Sequence, residues 1–209
     1  MKSFAQNNED IIIIDLFIKK NIKSGDFVEF GAWDGVHLSN CKLLADHNWS
    51  GFFIEGNPMR FEECKKNYKD SGKIKVLNKF IDEKYTLNDL IKENNIDKID
   101  VLSIDIDGKD LTELKRLTLV KPKVIVIEYN STIPFDVECE DDIGGNGSSY
   151  LSINNHLYKN NYELINFTAC NLIFIEKNFN QKENKKVEVF EMIEKLNPIR
   201  FGFNNFGDM

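Results

Sequence analysis

The sequence predicts an α/β fold, one sheet with helices on both faces, and three observations predict it. Five short apolar runs alternate with amphipathic stretches between residues 26 and 130. The fifth run, "KVIVIEYN" (123–130), is continuously apolar and β-branched, as strands covered on both faces are. Two final runs, "YELINFT" (162–168) and "NLIFIEK" (171–177), are separated only by "AC" and read as an antiparallel hairpin. That hairpin distinguishes the pattern from a plain dinucleotide-binding fold.

The elements follow in order. "IIIIDLFI" (11–18) belongs to a first helix, with Asn7 or Asn8 as its cap and Glu9 and Asp10 in its first turn. "DFVEFG" (26–31) is the first strand, and "LSNCKLLADHN" (38–48) a helix with Leu38, Leu43 and Leu44 turned inward. "GFFIEGN" (51–57) is the second strand, and "MRFEECKKNYKDSG" (59–72) a helix stopped by Gly72. "KIKVLNKFI" (73–81) and "TLNDLIKENNI" (86–96) supply the third strand and its helix. "IDVLSIDIDG" (99–108) is the fourth strand, and "KDLTELKRLTL" (109–119) a helix with leucines at 111, 114 and 117. "LSINNHLYKNN" (151–161) and "KVEVFEMIEKL" (186–196) are helices, and the aromatic tail "IRFGFNNFGDM" ends the chain.

A length of 209 residues suits one domain over 1–209, and 42% hydrophobic residues suffice for a sizeable core. Within it, 134–150 is expected to be an acceptor lid loop and 178–209 a C-terminal helix with its aromatic tail. The lid stretch carries Glu138, Glu140, Asp141 and Asp142 ahead of Gly144, Gly145 and Gly147. It reads either as a solvated loop or as a glycine-hinged lid whose sign disfavours a strongly anionic acceptor. Phe201, Phe203 and Phe206 of the tail are expected to pack on the core. A net charge of −7 argues against a general nucleic-acid binder. Cys41, Cys64, Cys139 and Cys170 show no zinc or redox spacing and are expected to be inert packing residues. The opening "MKSFAQNNED" has no apolar run after a basic start, and no run is long enough to span a membrane. A cytoplasmic setting is expected; the oligomeric state stays open, a dimer among the options.

Right-handed crossovers bring the carboxyl ends of the strands to one edge, where ligands of open α/β sheets bind. Polar groups gather at that edge: Glu29 and Gly31, then Glu55, then Asp105 and Asp107, then Glu128 and Asn130. Buried carboxylates are costly unless paired, so a row of them points to a ligand with hydroxyls and amines, or to a metal. Gly31 and Gly35 let the backbone approach a ligand closely. Glu55 follows that turn by about twenty residues, the spacing of an acid that holds ribose hydroxyls. The turn reads G-A-W-D-G rather than GxGxxG, which disfavours a nicotinamide cofactor against another adenosine ligand.

The stretches "FVEFGAWDGVHLSN", "GFFIEGNP", "VLSIDIDGKD" and "VIVIEYN" resemble the FkbM-type S-adenosylmethionine-dependent methyltransferases. So do "SFAQNNEDIII" and "NYELINFTACNLIFIEK", and the resemblance runs from about Ser3 to Lys177. It implies a class I methyltransferase Rossmann-like fold: a seven-stranded mixed sheet, the last strand antiparallel. It implies S-adenosylmethionine as donor and an O-methylated sugar, polyketide or surface glycan as product. Carried over by position, Glu29, Gly31 and Gly35 match the first donor motif, and Glu55 the acid on the ribose diol. Asn57 and Pro58 match the turn after it, Asp82 an acid near the adenine amino group, and Asp105 and Asp107 the fourth-strand motif. Trp33 stands where relatives often carry a smaller or more polar residue.

Methyl transfer to a hydroxyl needs in-line positioning and a base. His37, Asp107 and Glu128 are the catalytic candidates, with His156 and Tyr129 behind them. A divalent metal on Asp105, Asp107, Glu128 and Asn130 is the competing reading, since hard ions take such oxygen sets. The expected partner is a small-molecule or glycan-precursor acceptor, in capsule or related polysaccharide synthesis. An amine acceptor, a non-catalytic adenosine-ligand binder and a nicotinamide oxidoreductase are the alternatives.

Overall fold

Alternation along the strands divides the apolar side chains between two layers. On β1 (Asp26–Phe30), Phe27 faces one layer and Val28 and Phe30 the other. The same split recurs on β2 (Ser50–Glu55), β4 (Val101–Ile104) and β5 (Val124–Glu128), where successive residues join opposite cores. One core takes in Ile13, Ile14 and Phe17 of α1 (Glu9–Lys19), Leu43 and Leu44 of α2 (Lys42–Asp46), and Cys64 of α3 (Pro58–Asn67). The other takes in α4 (Leu87–Glu93), α5 (Asp110–Arg116) and α6 (Tyr150–Lys159). Helices therefore cover both faces, as the doubly apolar strands require. This computed structural model describes residues 1–140 and 147–180.

With β3 (Ile74–Asn78), β6 (Tyr162–Phe167) and β7 (Asn171–Glu176), the sheet has seven strands in the order β3-β2-β1-β4-β5-β7-β6. β7 runs antiparallel between β5 and β6, while β1 to β5 pair in parallel. The order reverses at the β1–β4 step, which sets a crevice at the carboxyl ends of those strands.

Local chemistry explains the boundaries. Asn57 Oδ1 accepts from the backbone N–H of Met59 and Arg60, and Pro58 opens α3, a helix start with both devices. Thr86 and Asp89 close a reciprocal capping box on α4. Three expectations at helix ends are corrected. Asn8 is left-handed (φ 67°) and makes no side-chain cap; instead Glu9 takes the N–H of Asn7 at 2.7 Å. The second helix is only Lys42–Asp46, and Leu38, which the apolar pattern turned inward, is 47% exposed. The third ends at Asn67 rather than at Gly72, because the chain turns at Tyr68–Ser71.

The opening segment folds back on the hairpin. Asp10 accepts from Ser3 Oγ at 2.6 Å and Phe4 N at 2.7 Å, and Thr168 Oγ1 donates to Glu9 at 2.5 Å. Both acids are fully buried. Among the described residues no helix is long and apolar enough to cross a membrane. Residues 141–146 of the expected lid, with Asp141, Asp142, Gly144 and Gly145, lie outside the described residues, as do the helix at 186–196 and the tail phenylalanines. The described part of the lid is tied down: Glu140 pairs with Lys115 at 2.5 Å and Glu138 accepts from Asn155 at 3.3 Å.

Gly31 sits at φ +67°, and a Cβ there would overlap the carbonyl oxygen of Asp105. Backbone, unlike a flexible side chain, does not swing aside. We expect Gly31→Ala to cost more than about 3 kcal/mol in urea unfolding, from strain and overpacking together. Gly72→Ala, where nothing lies within 4 Å, is the control and moves the midpoint little.

Candidate active site

The crevice holds a cavity of about 580 Å³, a size suited to a small ligand. It is lined by Glu29 to Trp33, by His37 to Asn40, by Ile54 to Asn57 with Met59 and Arg60, by Lys79 to Ile81, and by Asp105 to Asp107. The ends of β1 to β4 and the turns after them build it.

Glu29 is one of the most constrained groups here. It is 4% exposed, on the face opposite Val28 and Phe30. Its Oε2 accepts from Ser39 Oγ at 2.7 Å and Cys41 N at 3.1 Å, and its Oε1 from Asn40 N at 2.8 Å. Asn40 Nδ2 in turn donates to Ser103 Oγ, on the strand beside Glu29. Burial pushes the carboxyl up to about 7 against those three donated bonds. Both oxygens thus serve the chain itself, tying the turn ahead of α2 to β1.

Glu55 is arranged otherwise. Its Oε2 accepts from Trp33 N and its Oε1 from Asn57 N, each at 2.7 Å. A carboxylate has about four lone-pair sites, so two such bonds leave acceptor capacity facing the cavity. Gly31 lines the cavity, but its missing side chain clears room for Asp105's carbonyl. Gly35 does not line it; a Cβ there would meet Tyr68 and Cys64, so that glycine serves packing on α3.

At the ends of β4 and β5, one carboxylate oxygen each from Asp105, Asp107 and Glu128 lie within 4.8 Å of one another. The carboxyls of Asp105 and Glu128 lie close enough for each to act on the other's charge. Burial, then the charge of Asp107, pushes Asp105 up; burial, then the charge of Asp105, pushes Glu128 up. Like charges this close do not both ionise readily. The turn that presents them is held by Asp110, whose carboxylate accepts from Ile106 N at 2.8 Å and Gly108 N at 3.1 Å. Asp107 sits left-handed (φ 54°) in that turn. Burial pushes Asp110 up to about 7.

Other candidates fall elsewhere. His37 lines the cavity, exposed, its ring 6.1 Å from that of Trp33. Asn130 folds its Oδ1 back onto Thr132, and Tyr129 donates its hydroxyl to Thr168 O at 3.0 Å. His156 lines a separate pocket with Lys115, Pro122 and Tyr162. Asp82 is not brought to the cavity: its carboxylate accepts from Lys84 N and Tyr85 N, while Phe80 and Ile81 line the wall. Sequence reasoning missed Ser39, Asn40 and Asp110. The signal for Asp110 was its place two residues after Gly108 at a helix start, where an acid folds back on the preceding turn.

Residues 71–164 match the family of the methyltransferase FkbM domain. Over that stretch the chain is similar to FkbM-type methyltransferases. It is a methyltransferase of the S-adenosylmethionine-dependent class. The matched stretch contains Asp105, Asp107 and Glu128, while Glu29 to Glu55 precede it. Solved structures share the class I fold. One, assigned as a caffeoyl-CoA O-methyltransferase from Staphylococcus aureus, aligns at a TM-score of 0.58 with 14% identity, over 83% of this chain and 85% of that one. An S-adenosylmethionine-dependent methyltransferase from Clostridium acetobutylicum aligns at 0.50 with 11% identity, over 80% and 90%. The N-terminal domain of EvdMO1 with S-adenosylhomocysteine bound aligns at 0.52 with 11% identity, over 83% and 82%. No curated protein matches the sequence.

Glu29 generates a pH prediction for this methyltransferase. Its folded carboxyl is raised from 4.5 to about 7, so its contribution to stability is full below 4.5 and is lost as pH rises toward 7. Relative to Glu29→Gln, the wild type should lose on the order of 3 kcal/mol between pH 4.5 and 7, read by urea unfolding at each pH. A difference that grows the other way would mean the three donated bonds outweigh burial.

Proposed function

We propose that the protein transfers a methyl group from S-adenosylmethionine to a hydroxyl of a sugar or glycan precursor, with the Asp105–Glu128 pair taking the hydroxyl proton. The observation that carries this reading is the mutual approach of the Asp105 and Glu128 carboxylates at the strand ends, where Asp105 lines the cavity and burial raises both. Burial and mutual repulsion raise both carboxyls, Glu128 further than Asp105, so Asp105 is the first of the two to ionise and the base of the pair. The cavity fits the donor: Glu55 has acceptor capacity for a ribose diol, and Phe80, Ile81 and Met59 offer an apolar wall for a base. The donor supplies a methyl carbon made electrophilic by its sulfonium. The chain's own work is to hold the acceptor oxygen in line, exclude water and accept the proton. The bound S-adenosylhomocysteine of the EvdMO1 domain supports the donor by analogy of fold. Acidic groups at the acceptor side suit hydroxyl donors, and the acidic stretch at 138–140 disfavours a strongly anionic acceptor. A role in capsule or related polysaccharide synthesis, in the cytoplasm, rests on the family resemblance.

A divalent metal on Asp105, Asp107 and Glu128 is a second reading, favoured by their mutual approach within 4.8 Å. Three carboxylate oxygens suit a hard cation. Such an ion would have to compete with protons for the raised carboxyls of Asp105 and Glu128.

The tests follow from the charge states. Labelled donor with a cell extract as acceptor source should give methyl incorporation, and an amine product would replace the hydroxyl reading. Asp105→Asn should lower the rate at least about 100-fold, the usual worth of a general base. Glu128→Gln, isosteric with the protonated acid, should stay within about tenfold, and His37→Gln within a few-fold. The acid limb of the rate should lie above the ordinary carboxylate range, near 4, because activity needs the raised Asp105 deprotonated. Chelation followed by magnesium or manganese should leave the rate unchanged; loss and recovery would favour the metal. Glu55→Ala should weaken S-adenosylhomocysteine binding by about tenfold or more, about 1.4 kcal/mol, in calorimetry.

A further inference from the structure

Trp33 is a costly residue in its position. Its backbone is left-handed at φ 52°, a region that bulky side chains rarely enter. Its ring is not buried in return, since the residue is 45% exposed. Arg60 stacks on it, with the guanidinium carbon 4.2 Å from the ring centroid. Arg60 is itself held by Glu63 at 2.8 Å.

The stack spans Glu55. Trp33 N donates to one oxygen of Glu55, and Asn57 N to the other, with Asn57 capping the turn that carries Arg60. The indole and the guanidinium therefore join the turn after β1 to the start of α3 across that carboxylate. Four of the nine exposed large hydrophobics among the described residues, Trp33, Leu38, Met59 and Phe80, line this same cavity. Apolar surface concentrated on one cavity is surface that a ligand covers.

We propose that the Trp33–Arg60 stack is a binding surface for the adenine nucleoside of the donor, roofing the hydroxyls held by Glu55 and keeping water from them. The inference rests on the donor reading above and adds a residue to it. The ring gives the nucleoside an apolar cover, and exclusion of water strengthens the carboxylate–hydroxyl bonds beneath. Arg60 holds the ring over the cavity before the donor arrives, so less freedom is lost on binding.

The chain has two tryptophans, and Trp49 is 1% exposed in the core. Emission changes on ligand binding therefore report Trp33. Wild type, Trp33→Phe, Trp33→Gly and Arg60→Ala would be titrated with S-adenosylhomocysteine by calorimetry and by tryptophan emission. The wild type should bind with a change in emission that Trp33→Phe abolishes while keeping affinity within about threefold. Trp33→Gly relieves the left-handed strain, so it should unfold no earlier in urea yet bind about tenfold more weakly, ~1.4 kcal/mol. Arg60→Ala should weaken binding a few-fold. Equal calorimetric affinity in wild type and Trp33→Gly would overturn the inference and leave the donor reading standing. No calorimetric binding to wild type would overturn both.

Discussion

The close passage of Gly31 over the carbonyl of Asp105 governs the arrangement of the whole crevice. β1 and β4 pair in register up to Phe30 and Ile104, and the chains stay together for one more residue on each side. No side chain is tolerated at that point. The turn after β1, Glu55 and the carboxylates of Asp105 and Asp107 consequently open into one space. A bulkier residue would push the two strand ends apart and separate Glu55 from Asp105 and Glu128.

Four acids at this edge meet their burial in three ways. Glu29 is surrounded by donors from a single short turn and acts as a brace. Glu55 spends half of its capacity on two amides and keeps the rest for the cavity. Asp105 and Glu128 each raise the other's hold on a proton. The chemistry of each follows from what faces it, since the residue types are nearly the same. A carboxylate whose two oxygens are both held by the chain can position others, and a pair raised by burial and mutual charge can take a proton.

Much of this was legible in the residues. Continuous apolar runs disclosed the buried strands, and the short "AC" link disclosed the hairpin. A row of acids at strand ends disclosed the edge that matters. The sequence did not disclose which acids face inward to the chain. Glu29 and Glu55 look alike in sequence, and only the turn at 39–41 separates their roles. Asp82 follows the third strand by a natural spacing, yet the amides of Lys84 and Tyr85 capture it locally. Gly35 reads as room for a ligand, whereas Tyr68 and Cys64 take that room. Leu38 fitted an apolar stripe, but the chain does not become helical until Lys42.

Glu9 and Thr168 are 159 positions apart and joined directly by a hydrogen bond. Bringing such distant partners together is entropically expensive and comes late in folding. The first helix is made early during synthesis, yet its buried acid has no hydroxyl partner until the hairpin has left the ribosome. Until then, α1 carries a carboxylate that prefers water to the core. The order of synthesis and the order of assembly therefore run in opposite directions at this corner, which closes only when the first helix meets the hairpin.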